Sequence, residues 1–125
     1  MADIRDHRQL RVYLDARDAA MRVYHVSADF PNEEKFSLTS QVRRASRSVC
    51  ANVAEGWQKR RYPASFRAKL IDAAGEADET RAWLDLARCC GFVGPEDMAD
   101  LEQRYDRILG QLIRMIGRPG DWRVR

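Results

Sequence analysis

Leu38-Thr39-Ser40-Gln41-Val42-Arg43-Arg44-Ala45-Ser46-Arg47-Ser48-Val49-Cys50-Ala51-Asn52-Val53-Ala54-Glu55-Gly56 is the stretch whose periodicity decides the fold. Leu38, Val42, Ala45, Val49, Asn52 and Gly56 recur at alternating steps of four and three, which puts them on one side of an α-helix as the seam of a packed bundle. Arg43, Arg44 and Arg47 fall off that seam and cluster on another face. Ser37 stands where an N-cap would accept backbone donors of the first turn. Gly56 stands at the C′ position, where a left-handed backbone costs glycine little. The spacing predicts a helix over 38–55.

The pattern repeats on both sides. Upstream, about His7 to Ala28, Val12, Ala16, Ala19, Val23 and Val26 form one apolar row, and Leu10, Tyr13, Ala20 and Tyr24 a neighbouring one. Phe30-Pro31-Asn32 closes that segment, because proline disfavours α geometry in the residue before it. Downstream, a helix over 63–90 starts at Pro63 and keeps Phe66, Leu70, Ala73, Ala77, Thr80, Leu84 and Ala87 in register until Gly91. A fourth, over 95–116, opens at Gly94-Pro95-Glu96-Asp97 and carries Met98, Leu101, Tyr105, Ile108, Leu112 and Met115. Residues 117–125 read as a mobile tail that Trp122 could anchor. No segment alternates as a strand does. Four helices with short connections predict an all-α, up-and-down antiparallel four-helix bundle.

The chain has 125 residues, 45% hydrophobic and 33% charged, which suits one domain with one core and excludes disorder. No run approaches the roughly 18 apolar residues of a spanning helix, so no membrane partner is expected. The first residues lack the apolar core of a secretory signal. Cys50, Cys89 and Cys90 are odd in number, and neighbours rarely bridge, so free thiols in the cytoplasm are expected.

The formal net charge of +3 is unevenly spread. Residues 41–70 hold eight basic side chains against Glu55 alone. They are Arg43, Arg44 and Arg47, then Lys59, Arg60 and Arg61, then Arg67 and Lys69. Lys59-Arg60-Arg61 sits between Trp57 and Tyr62, in what reads as a loop after Gly56. Cations neutralise phosphates and aromatic rings stack on unpaired bases, so these ten residues form a candidate nucleic-acid surface. Two other readings stay open: a solvated basic helix face, and aromatics that pin the loop to the bundle.

Catalytic patterns are missing. There is no phosphate-cradling glycine loop and no G-x-S-x-G. His7 and His25 have no Glu three residues before them, so no metal site or cofactor is expected. Glu55 and Glu76 could be buried acids with raised pKa values, or acids paired with basic neighbours. Asn52 reads as a core amide that fixes helix register.

Phe30-Pro31, Glu34 to Ala45, Ser48 and Ala51-Asn52-Val53-Ala54-Glu55-Gly56 together resemble the signature of a bacterial four-helix-bundle family, the proteins encoded within intervening sequences of 23S ribosomal RNA genes. Ala74-Gly75, Glu79 and the Cys90-Gly91-Phe92 break extend the likeness over nearly the whole chain. Ser37 departs from the family's glycine, and Val49 and Val53 from its isoleucines. The resemblance implies a homopentamer, as in the related accessory variability determinant of diversity-generating retroelements, which engages nucleic acid and a reverse transcriptase through basic surfaces. It implies no enzymatic activity. RNA or DNA, and a nucleic-acid enzyme such as a reverse transcriptase, are the partners it suggests. A protein–protein scaffold that binds no nucleic acid is the alternative.

Overall fold

A computed structural model describes residues 4–122. Its four helices are α1 (Arg11–Ser27), α2 (Leu38–Gln58), α3 (Pro63–Cys89) and α4 (Pro95–Gly117), with short 3-10 turns at His7–Gln9, Asn32–Glu34 and Pro119–Trp122. Consecutive helices pack antiparallel and α1 closes the bundle against α4; α2 and α3 share the most extensive interface. The described residues contain no strand.

The core is built from the periodic rows. Every residue of the α1 row from Val12 to Val26 is buried, as is every seam residue of α3 and α4. In α2 the buried row passes through Val53 rather than Asn52, which is half-buried.

Two expected boundaries move and one expected cap is absent. The first helix begins at Arg11, not His7, because Leu10 is extended (φ −72°, ψ 131°). Before it, Asp6 and Gln9 form a reciprocal capping box around a separate 3-10 turn. Ser37 does precede α2, but its hydroxyl is spent on Glu34, donating to Oε1 at 2.6 Å, and caps nothing. The second helix does not stop at 55. It runs on to Gln58 with Gly56 inside it and buried.

Gly56 serves close approach instead. A Cβ placed there would meet Lys69 Cβ at 3.2 Å and the Phe66 ring at 3.6 Å, so its missing side chain lets α2 and α3 come together. Gly91, by contrast, has φ +80° and ends α3 as expected of a C′ glycine.

Part of the expected tail packs on the bundle, with Trp122 as its anchor. Pro119–Trp122 form a turn, and Trp122 packs edge-to-face on Trp57 with ring centres 6.5 Å apart. The rest of that expected tail, 123–125, lies outside the described residues, as does the extreme N-terminal stretch 1–3.

Candidate nucleic-acid interface

The extension of α2 removes Trp57 from the expected loop. Four residues after buried Val53, its indole turns inward and is 4% exposed. It cannot stack on a base. Arg60 follows it, with the guanidinium carbon 3.9 Å from the indole centre and Nη1 donating to the Trp57 carbonyl at 2.8 Å. Arg60 is thus a lid on the core and not a free phosphate ligand. Lys59, Arg61 and Tyr62 stay in solvent at the turn, Tyr62 with 65% of its surface exposed.

The arginines of α2 divide in the same way. Arg43 is half-buried: Nε donates to Ser27 Oγ at 2.8 Å, Nη2 to the Tyr24 carbonyl at 3.3 Å, and the guanidinium lies over the Tyr24 ring. It covers the C-terminal end of α1, where the helix dipole favours a cation. Arg44 bridges to Glu76 at 3.2 Å and to Glu79 on α3. Arg47 is exposed and, among the described residues, has no ion pair or hydrogen bond. Lys59 and Arg61 likewise have no ion pair among the described residues.

On α3, Lys69 meets Glu55 at 2.8 Å and Arg67 donates from Nε to the Ile116 carbonyl at 3.3 Å. Glu55 is exposed, and Lys69 holds its carboxyl below the ordinary value of 4.5, opposite to a buried acid. Glu76 is engaged by Arg44 and, through its carbonyl, by the Thr80 hydroxyl at 2.8 Å. Both acids are therefore paired with basic neighbours. Asn52 spends its amide on its own helix, donating to Ser48 O at 2.9 Å, so it locks no neighbouring helix in register. Cys50 is a poor nucleophile, because burial pushes its thiol up to about 11.

Phe36, in the turn before α2, was missed as a site residue. It is 88% exposed, the most exposed large apolar side chain among the described residues. It forms one lip of a shallow groove with Arg43, Arg44 and Arg47, floored by the small side chains of Ser40, Ser48 and Ala51. From there Ser40, Arg44, Arg47, Ala51, Glu55 and Gln58, all exposed, follow one another at steps of three and four. This stripe runs down α2, which at 21 residues is about 31 Å long, to the Lys59–Tyr62 turn. An exposed aromatic therefore stands at each end of it.

Residues 8–114 match the model of the 23S rRNA-intervening sequence protein family. The chain belongs to that family. A crystal structure of a protein with unknown function from the S23 ribosomal protein family, from Bacteroides thetaiotaomicron, is similar in fold. Its sequence is 27% identical, the match covers 85% of this chain and 95% of that one, and the TM-score is 0.76. A search of curated proteins gives no match. The match to the 23S rRNA-intervening sequence protein family takes in α1, α2 and α3 whole and α4 as far as Arg114.

Proposed function

We propose that this chain is a non-enzymatic, self-associating bundle protein that binds single-stranded nucleic acid, RNA in preference to DNA, along the exposed stripe of α2. The observation that carries the reading is Phe36 on the lip of the arginine groove. A solvated ring beside cations matches the way sequence-tolerant single-strand binders combine base stacking with phosphate neutralisation. Arg47, Lys59 and Arg61 supply the uncommitted charge, and Tyr62 a second ring. Arg44 is shared with two carboxylates and contributes less. Arg43, Trp57 and Arg60 hold the fold.

Charge elsewhere favours the same side. Residues 76–106, on α3 and α4, carry three basic and nine acidic side chains, and that surface repels a polyanion. Preference for RNA draws on the family description, which ties these proteins to ribosomal RNA genes.

Purification under native conditions at low salt tests the proposal. The protein should carry nuclease-sensitive material absorbing at 260 nm, RNase removing more of it than DNase. Protein that elutes free of nucleic acid would favour a protein–protein scaffold, in which Phe36 and the α2 arginines dock another protein.

A further inference from the structure

A second concavity lies between the start of α1 and the end of α4, where Trp122 packs on Trp57. It is an open cleft of about 670 Å³ whose walls include Leu10, Val12, Met115 and Trp122, with Arg114 and Arg118 at its edge. Cavities of roughly 300–1,000 Å³ with apolar walls and a few convergent polar groups are typical small-molecule sites.

The polar groups around this cleft are not equally available. Arg11 faces Asp15 at 3.7 Å, and Gln111 is held by the other oxygen of Asp15 at 2.8 Å. Arg114 and Arg118 have no carboxylate partner among the described residues. Asp121 also borders the cleft, so the two guanidinium groups outweigh a single acid. The first turn of α1, whose N-cap Leu10 supplies no side-chain acceptor, adds positive potential of the same sign.

We infer that this cleft binds a small amphipathic carboxylate: an aliphatic tail along the Ile113 and Trp122 walls, over a base of buried Leu10, Val12 and Met115, and a carboxylate head between Arg114 and Arg118. A guanidinium fork matches the two oxygens of a carboxylate. The apolar walls suit a tail of several methylenes, whose removal from water favours binding. Arg114 and Arg118 belong to α4 and its end and not to the α2 stripe, so their variants test this site without touching the proposed nucleic-acid residues.

Titration calorimetry of the full chain with octanoate, below its micellar concentration, tests the inference. Octanol and acetate serve as the tail without the head and the head without the tail. Octanoate should bind saturably at one site per chain, and both controls at least tenfold more weakly. Arg114→Gln and Arg118→Gln, both on the surface, should keep wild-type helicity and each weaken octanoate at least fivefold. Octanol binding as tightly as octanoate, no saturable octanoate binding, or unchanged affinity in both variants would each overturn it.

Discussion

The Arg60 guanidinium lies 3.9 Å above the indole of Trp57, and Trp57 lies edge-on to Trp122. A residue of the basic cluster, the last turn of α2 and the turn after α4 thereby pack together. Trp57→Ala should cost about 3–5 kcal/mol, the usual loss for a buried large aromatic. Arg60→Ala should cost about 0.5–2 kcal/mol through the lost cation–ring contact. Urea unfolding followed by circular dichroism measures both. Equal and negligible losses would show that the stack carries no stability.

Gly56→Ala sets two effects against each other. Alanine is better than glycine in a helix by about 1 kcal/mol. The new Cβ, however, sits 3.2 Å from Lys69 Cβ, an atom fixed to the α3 backbone, so the helices must part. Overpacking of that kind costs about 1–3 kcal/mol. The melting temperature should fall; a rise would mean that α2 and α3 separate easily.

Self-association should use α1. Met21 and Tyr24 are 51% and 42% exposed on a helix whose opposite side already fills the core. Light scattering on a sizing column should give a multiple of the monomer mass at micromolar concentration, and Met21→Glu should reduce it. A monomer mass for the wild type would exclude an obligate oligomer.

The Glu55–Lys69 pair gives stability a sign with pH. Glu55 has a folded pKa below its ordinary 4.5, so its contribution is present above that value and lost as pH falls through the lower folded one. Both groups are solvated, so the effect is small and screened by salt. Thermal melts from pH 7 down to pH 3 should show Glu55→Gln losing less stability on acidification than wild type. Parallel curves would mean that the pair is thermodynamically silent.

Much of the architecture was legible because the helices bury one face each. The α3 row from Phe66 to Ala87 and the α4 row from Met98 to Met115 read directly as core, since no residue in either row serves a second purpose. The end of α2 was misread because glycine has two physical uses there. A C′ glycine and a close-approach glycine both follow an apolar run, and only the four-residue step from Val53 to Trp57 signals that the helix continues. That misreading carried Trp57 and Arg60 into the candidate site. Arg43, Arg44 and Lys69 were visible as charges, but their partners, Ser27, Glu76 and Glu55, are set by packing between helices. Phe36 was missed because it lies outside every periodic row; its meaning comes from the groove beside it.

Binding of single-stranded RNA along the α2 stripe should rest on Phe36 and the uncommitted cations. Fluorescence anisotropy of a labelled single-stranded RNA, titrated at several salt concentrations, measures it most directly. Wild-type affinity should fall with salt at a log–log slope of about −0.7 for each phosphate neutralised. Arg47→Glu and the double variant Lys59→Glu/Arg61→Glu should each flatten that slope and weaken binding more than tenfold. Phe36→Ala should weaken binding at an unchanged slope, since stacking releases no counterion; base stacking is worth about 1–3 kcal/mol. All three variants should keep wild-type helicity, because none of the four residues is buried. Binding as tight as wild type in all three, or no wild-type binding even at the lowest salt, would contradict the account.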